Sequence, residues 1–562
     1  MAESTDINTV KPQGSSPPKA VDSSHLQSWR LVIVIGTLCL GAFLYGLDAN
    51  IIGTAIPRIT TDFKSLPAVA WYGASYLLTV TAFQPFFGNL YKFFNAKIVY
   101  LASLLIFEAG SIVCASARTS DILIFGRALL GFGASGLLQG ALAIIGMVVP
   151  LEKVPLFQGI VISGVGISIC VAPIVGGALT QYASWRWCFW INVPVGFFAI
   201  IIIFLFVPLA DGLSKTTKTL PLRQKLSNMD PVGTILFLSL VCCLLLALTW
   251  GGQQYAWKSS KIIGLFVGFG ILLLCFCFWD WKQGDKALIP LRVLRKRSVC
   301  MGAIILFDYG VLMYVYGYYL PMFFQTIQGA SATESGVRYI AMMIPQIVTL
   351  AVTGAIVSKW GYYIPYMIAG DIIASVGSGL LTTIGLTTPT VRWAAYLVLT
   401  GIGVGMASQL PYTALQVVLD SSDIATGNAI AVFSSQLGGA LGLAIGQNLL
   451  INGLRRELPR YTTAVTVEQV LAAGASGLPK LASSPAVLEA LRRVYTQALR
   501  DIFILGLACA CLTLLPSCAT EWLNITHESQ RRKELQEKSN EKGGKVQPQE
   551  ERDVKGVENG TA

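Results

Sequence analysis

The chain reads as an all-α polytopic membrane protein with fourteen spanning helices. Three observations predict this. Apolar residues make up 54% of the 562 and charged residues only 13%, about half the roughly 25% usual in soluble domains. The apolar residues gather into runs such as "IIGLFVGFGILLLCFCFW", close to the roughly 20 residues that cross a bilayer as a helix. Glycine is abundant, at 55 residues, as expected where helices pack closely in lipid.

Some thirty polar residues rich in Ser, Pro and Lys precede the first run, and no small-residue cleavage site follows it. It is therefore expected to span the membrane rather than to be removed as a leader. Hydropathy places six helices at roughly 31–53, 69–90, 97–116, 121–147, 156–180 and 187–207, and two more at 231–250 and 262–281. Six follow at roughly 299–324, 334–357, 362–383, 391–412, 424–451 and 499–518. An even number puts both termini on one side. The loops on that side carry the heavier Lys/Arg load, including Lys282, Lys286, Arg292, Arg295, Lys296 and Arg297 in one loop and Lys215, Lys218, Arg223 and Lys225 in another. The positive-inside rule makes both termini cytoplasmic. The tails, 1–29 and 522–562, are polar and expected to be disordered. A multi-pass plasma-membrane location is expected, with a vacuolar or other internal membrane as the alternative.

Several function classes drop out. The twelve cysteines show no Cys-x-x-Cys or Cys/His spacing, so neither a disulfide framework nor a metal site is expected. The two histidines, His25 and His527, lie in the tails, which leaves no imidazole for the spanning region. "GFGASG" (131–136) spells a dinucleotide fingerprint but sits inside an apolar helix with no strand before it. No phosphate-binding G-x-x-x-x-G-K-[ST] occurs. No cofactor, no ATP and no nucleic acid are expected. The net charge of +11 is accounted for by topology, with attraction to anionic lipid of the bilayer as a supplement.

A repeat runs beneath the hydropathy. "GNLYKFFNAK" (88–97) and "GAIVSKWGYY" (354–363) each place a glycine, an apolar stretch, a basic residue and a short turn after a helix. Duplicated bundles with a substrate site between them are a common transporter plan. That division gives an N-terminal six-helix bundle (30–207), an insert carrying helices seven and eight (208–298), and a C-terminal six-helix bundle (299–521) that includes an outer loop at 452–498.

Five stretches resemble the major facilitator superfamily, and within it the fourteen-span drug:proton antiporters, especially fungal pumps for toxins and secondary metabolites. "GLDANIIGTAIP" is similar to the first-helix signature of that branch, and "GNLYKFFNAK" occupies the place of the loop motif G-x-L-A-D-R-x-G-R-K. "LIFGRALLGFGASG" (123–136) resembles the fourth-helix motif, "SGVGISICVAPIVGGAL" (163–179) the fifth-helix antiporter motif, and "WRWCFWINVPVG" (185–196) the most branch-specific of the set. The resemblance implies two six-helix bundles, export of small organic molecules and protons as the coupling ion. It departs in the gating loop: Gly88 and Lys97 stay, but Lys92 stands where the family has an acid, and Ser358 fills that place in the second copy. A standard salt-bridge gate is thereby put in question. Ala172 replaces a glycine before Pro173 in the antiporter motif, which leaves its packing logic intact.

Ionisable residues inside apolar helices are functional candidates, because a charge in hydrocarbon is costly. Asp48 and Arg127 lie at similar depth on helices that run in opposite directions, so they can pair and let protonation weaken the pair. The alternative is an interfacial aspartate and a snorkelling arginine. Glu108, Asp308 and Asp371 are the other intramembrane carboxylates, with helix–helix hydrogen bonding as the alternative for Glu108 and Asp371. Asp308 is favoured because its helix opens the second bundle. Beside it Phe307, Tyr309 and Tyr316 offer faces and hydroxyls to a flat apolar substrate, with a lipid-facing belt as the alternative. Pro173, Gly176 and Gly177 soften one helix, and the resemblance makes that bend part of antiport. The Gly438/Gly442/Gly446 stripe is read as packing. The expected function is proton-coupled efflux. Siderophore-type uptake is the rival within transport, and a polytopic membrane enzyme or a non-transporting sensor are the rivals outside it.

Overall fold

The computed structural model describes residues 28–63, 69–206, 221–252, 255–420, 423–467, 469–470, 478–479 and 481–534. The expected tail over 1–27, Lys215 and Lys218, and the tail beyond 534 lie outside the described residues. Among the described residues the chain is helical, with two isolated backbone bridges and no strand.

The first half contains α1 (Ser28–Phe63), α2 (Val69–Ala82), α3 (Gln84–Phe93), α4 (Ala96–Ser116), α5 (Ser120–Val148), α6 (Val154–Tyr182) and α7 (Asn192–Phe206). Then come α8 (Pro231–Trp250) and α9 (Ser260–Gln283). The second half contains α10 (Arg297–Thr326), α11 (Ala332–Trp360), α12 (Ile364–Leu381), α13 (Thr390–Ala407), α14 (Leu410–Val418), α15 (Ile424–Tyr461), α16 (Pro485–Leu512) and α17 (Leu514–Ala519). Thirteen helices among the described residues are long and apolar enough to cross a membrane. The expected helix at 69–90 is absent from that set because Ser75, Thr79, Thr81, Gln84 and Asn89 make it less apolar, and it is built in two pieces, α2 and α3. Pro85 has no N–H for the Thr81 carbonyl and disfavours helical geometry in the residue before it. Bonds from Phe83 N–H to Thr79 O (3.1 Å) and from Phe87 N–H to Phe83 O (3.0 Å) bridge the break.

Helix ends follow the local sequence. Ser331 and Glu334 open α11, the Ser331 hydroxyl accepting from Glu334 N–H at 3.1 Å. Gly361 closes it at φ 78°, where a side chain would be strained. Asp230 takes the same left-handed region at φ 51° without being glycine. Its carboxylate accepts from Gly233 N–H (2.9 Å), Trp279 Nε1–H (2.8 Å) and Leu288 N–H (3.1 Å), which ties the start of α8 to the end of α9.

The halves repeat their packing. α1 lies on α6 and α4 on α5 in the first, and α10 lies on α15 and α12 on α13 in the second. Between the halves, α6 meets α11, and α15 meets α2 and α3. Helix α8 covers the seam on the α2/α15 side, with Phe237 against Phe433 at 5.0 Å and Trp250 against Trp71 at 5.8 Å. Helix α9 packs on α8 and turns Ile271, Leu274 and Phe278 outward, an apolar face suited to lipid. The Gly438/Gly442/Gly446 stripe faces α10: a Cβ on Gly438 would strike the Phe307 carbonyl, and one on Gly442 would sit 3.0 Å from Val311 Cα.

Two stretches are more ordered than their composition suggests. Of the expected outer loop at 452–498, α15 claims residues up to Tyr461 and α16 begins at Pro485. Arg456 bridges to Asp501 at 2.8 Å, and Leu454, Leu458, Leu491 and Val494 bury the apolar faces of both extensions. Of the expected disordered tail, residues 525–534 are helical. Ser529 and Lys533 bind Glu152 of the first half at 2.5 and 3.2 Å, while Arg532 donates to the Val417 and Leu419 carbonyls of the second. This stretch caps one end of the molecule, called here the tail end; the other is the far end.

Candidate functional site

A cavity of about 670 Å³ lies between the halves. Its walls come from α2, the far-end portions of α1 and α8 and the middles of α5, α6, α10, α11 and α15, and it bottoms out near Leu142, Leu350 and Tyr412. No Asp, Glu, Lys, Arg or His is found among its described lining residues. Its polarity comes from tyrosine hydroxyls, amides and a few Ser and Thr side chains. At its base Gln436 of α15 joins the halves: its Nε2 donates to Tyr45 Oη of α1, and its Oε1 accepts from Tyr314 Oη of α10 at 2.8 Å.

Below that point the halves close. Gly88 brings α3 within reach of α15: a Cβ there would lie 2.5 Å from Ala429 Cβ. Gln139 Nε2 donates to the Ala425 carbonyl at 2.7 Å, and Thr413 Oγ1 to Gln158 Oε1 at 3.2 Å. The α6/α11 contact tapers along its length. A Cβ on Gly354 would lie 2.7 Å from the Pro155 carbonyl, one on Gly166 3.0 Å from Ile347, and one on Gly336 4.0 Å from Pro173. The tail end is therefore the tight end.

Asp48 and Arg127 form a fully buried ion pair. The Arg127 guanidinium donates from Nε to the Tyr72 carbonyl at 2.8 Å and lies over the Tyr76 ring, 4.4 Å from its centre. Asn192 Nδ2 donates to the other Asp48 oxygen at 3.4 Å and to Ser111 Oγ at 3.0 Å. Neither charged residue lines the cavity; Tyr45 and Tyr76 do. The pair thus sits one side-chain layer behind the wall, with the Tyr76 ring against the guanidinium. Glu108 is buried on the same side against Gly196, with neither carboxyl oxygen hydrogen-bonded to protein.

The second half has a parallel arrangement. Asp371 is buried and accepts from Tyr309 Oη at 2.6 Å and Ser517 Oγ at 2.5 Å. Tyr309 lines the cavity, so again a tyrosine separates a carboxylate from the open space. Asp308 is buried near Asp371 and Cys509, away from the cavity lining. Tyr316 packs on Phe503 and Gly506, and Phe307 packs against the second core and Gly438; neither is a lining residue.

The loop that carries Lys92 and Lys97 has its own charge pair, drawn from the opposite half. Lys92 Nζ lies 3.5 Å from Asp423, the residue before α15, and Arg292 Nη2 lies 2.8 Å from the other Asp423 oxygen. Burial works against the Arg292 charge, but Asp423 and Asp285 outweigh it and hold its pKa above the usual value. Lys97 instead donates to the Phe204 carbonyl at 2.8 Å. Pro173 lies inside α6, Gly176 lets α6 approach Ile51 and Thr54 of α1, and Gly177 faces open space.

Asn192, Gln436, Tyr76 and Asp423 were not singled out by the sequence. Asn192 stands within the "WRWCFWINVPVG" stretch, so a signal existed; Asp423 lies in "DSSDIATG", where nothing but charge marks it.

Residues 38–443 match the model of the Major Facilitator Superfamily. The chain is 38% identical over 526 residues to the MFS-type transporter astH of Aspergillus oryzae, covering 92% of this chain and 93% of that one. It is 41% identical over 498 residues to the efflux pump roqT of Penicillium rubens, covering 89% and 92%. Among solved structures, a double-tryptophan XylE mutant shares the fold with a TM-score of 0.56 at 13% identity, over 90% of this chain and 99% of that one. A duplicated helical bundle around a central cavity and a family match over most of the length lead to one conclusion: the chain belongs to the Major Facilitator Superfamily and is a membrane transporter, not an enzyme.

Proposed function

We propose that the protein is a proton-coupled antiporter that exports small, largely apolar organic molecules, with both termini cytoplasmic and the plasma membrane as its site. One observation carries this reading: a tyrosine-walled cavity flanked by two buried carboxylates, Asp48 and Asp371, each one tyrosine away. Protonating such a group changes what holds its helix, and the neighbouring tyrosine transmits the change to the wall. Relatives named as efflux pumps support the direction. With the tail end cytoplasmic, the tight end faces the cytoplasm and the cavity faces outward, a conformation suited to release and proton entry.

The test is flux in proteoliposomes with an imposed pH gradient. Substrate should leave the compartment bearing the tail end as protons enter it, and collapse of the gradient should stop uphill movement. Flux indifferent to the gradient would remove the coupling, and accumulation toward the tail end would favour uptake.

Within this scheme the second-half coupling role passes from Asp308 to Asp371, because Tyr309 links Asp371 to the cavity. Asp371→Asn should lower gradient-driven flux about tenfold or more while sparing exchange at equal pH. Asp308→Asn should lower it by no more than about threefold, less than the roughly tenfold that 1.4 kcal/mol represents. The reverse ranking would restore Asp308.

Orientation has a simple check. Asn524 and Asn559 are glycosylation acceptors by sequence; Asn559 lies outside the described residues, while Asn524 donates to the Trp360 carbonyl at 3.2 Å. Both should stay unmodified. A mobility shift after glycosidase treatment that disappears in Asn524→Gln would place the tail end outside the cytoplasm.

A further inference from the structure

We propose that the cavity selects molecules with no net charge, and that Tyr339 and Gln346 of α11 are its unfilled polar anchors. This rests on reading the cavity as the transport site.

The first argument is electrostatic. A cation entering this space would meet no carboxylate among the described lining residues, and an anion would meet no lysine or arginine. Moving an ion from water into such a site costs far more than hydroxyls and amides return. The two carboxylates that stand one tyrosine behind the wall are already engaged: Asp48 by Arg127 and Asn192, and Asp371 by Tyr309 and Ser517. A cationic substrate would have to break one of these to use either carboxylate, and Glu108 and Asp308 are buried away from the lining.

The second argument is unmet hydrogen bonding. Tyr339 and Gln346 both line the cavity and are 5% and 9% exposed. Tyr339 Oη and Gln346 Oε1 have no hydrogen-bond partner, whereas most buried polar atoms have one. Seven residues apart, they share one face of α11 at a separation of about 10 Å along the axis. One offers a hydroxyl that donates or accepts a hydrogen bond, the other a carbonyl that only accepts. Apolar wall residues such as Leu142 and Ile347 and the neighbouring tyrosine rings fill the space around them. The ligand class this recognises is a neutral, ring-containing molecule with at least one hydroxyl donor and one carbonyl or ether acceptor.

The experiment is equilibrium binding to the full chain in nanodiscs, read by quenching of protein fluorescence with empty nanodiscs subtracted. Three matched probes are used: 2-(hydroxymethyl)anthraquinone, anthraquinone-2-carboxylate and 2-(trimethylammoniomethyl)anthraquinone. The neutral quinone should bind at least about tenfold more tightly than either ion, and Tyr339→Phe with Gln346→Leu should weaken it about five- to tenfold, the loss expected for two modest hydrogen bonds. Gln346→Glu, measured at mildly alkaline pH so that the new carboxyl is ionised, should gain binding of the ammonium probe. Equal or tighter binding of either ion by the unaltered protein, no binding of the neutral quinone, or no gain in Gln346→Glu would each overturn the proposal. Binding is read without a gradient, so a failure of proton coupling leaves these outcomes unchanged and is recognised separately by flux.

Discussion

Arg127→Ala should reduce gradient-driven efflux by at least about a hundredfold and lower the stability of the protein as well. The two losses have one origin. Arg127 is 1% exposed and Asp48 fully buried, and removing one partner of a buried pair leaves an uncompensated charge, at a cost of about 3–5 kcal/mol. Arg127→Lys should recover little, since an ammonium cannot hold Asp48 and the Tyr72 carbonyl at once with the planar fork. Stability and transport are separated by the double variant Asp48→Asn with Arg127→Gln. Two neutral amides can hydrogen-bond to each other, so thermal stability should return toward that of the unaltered protein, while uphill efflux should stay absent because nothing at the site changes charge. Thermal unfolding in detergent and flux in proteoliposomes read the two effects independently. Full efflux by the double variant would reduce the pair to a structural device.

The pair was legible in the sequence because depth can be counted. Two helices of opposite direction and a fixed rise per residue bring Asp48 and Arg127 level, and the cost of an unpaired charge does the rest. The rotation of a helix about its axis is harder to read in lipid, because both the lipid face and the core face are apolar. That is why Tyr316 and Phe307, chosen for the cavity, lie in the core, and why Tyr309 but not its neighbour Asp308 reaches it. Hydropathy also stops where charge begins. It therefore ended helices at 451 and began one at 499, where α15 and α16 continue as a charged pair held by Arg456 and Asp501. Helix 525–534 was missed for a similar reason: its polar face is satisfied by Glu152 and by carbonyls of α14, partners that only the folded chain supplies. Asp423 is the extreme case. Its importance is set by Lys92, 331 positions away, and no local pattern encodes that distance.

Asp423→Arg should release the tail end and depress efflux strongly, and Lys92→Asp in the same chain should restore part of both. Asp423 is 1% exposed and lies between Lys92 of the first half and Arg292 at the entry to the second. Arginine at 423 would put three cations where one anion now joins them, and like charges close together disfavour the packed state. The effect should concentrate at this seal because the neighbouring cross-half contacts, Gln139 to Ala425 and Thr413 to Gln158, are neutral hydrogen bonds worth about 0.5–1.5 kcal/mol each. Once the ion pair turns repulsive, these bonds and the Glu152 contacts with Ser529 and Lys533 hold the seal less firmly. Amide hydrogen exchange should therefore quicken at 154–166 and 350–357, the tight stretch of the α6/α11 contact, and stay unchanged at the far end of the same helices. Lys92→Asp reverses the sign on the partner and re-forms an attraction across the seam, so exchange should slow again and efflux should recover. Lys92→Asp alone should resemble Asp423→Arg but more mildly, because Arg292 still holds Asp423. If exchange at the seal is indifferent to the sign of these two residues, the closing energy resides in the glycine contacts at Gly88 and Gly354, and Lys92 is a solvated lysine near an acid.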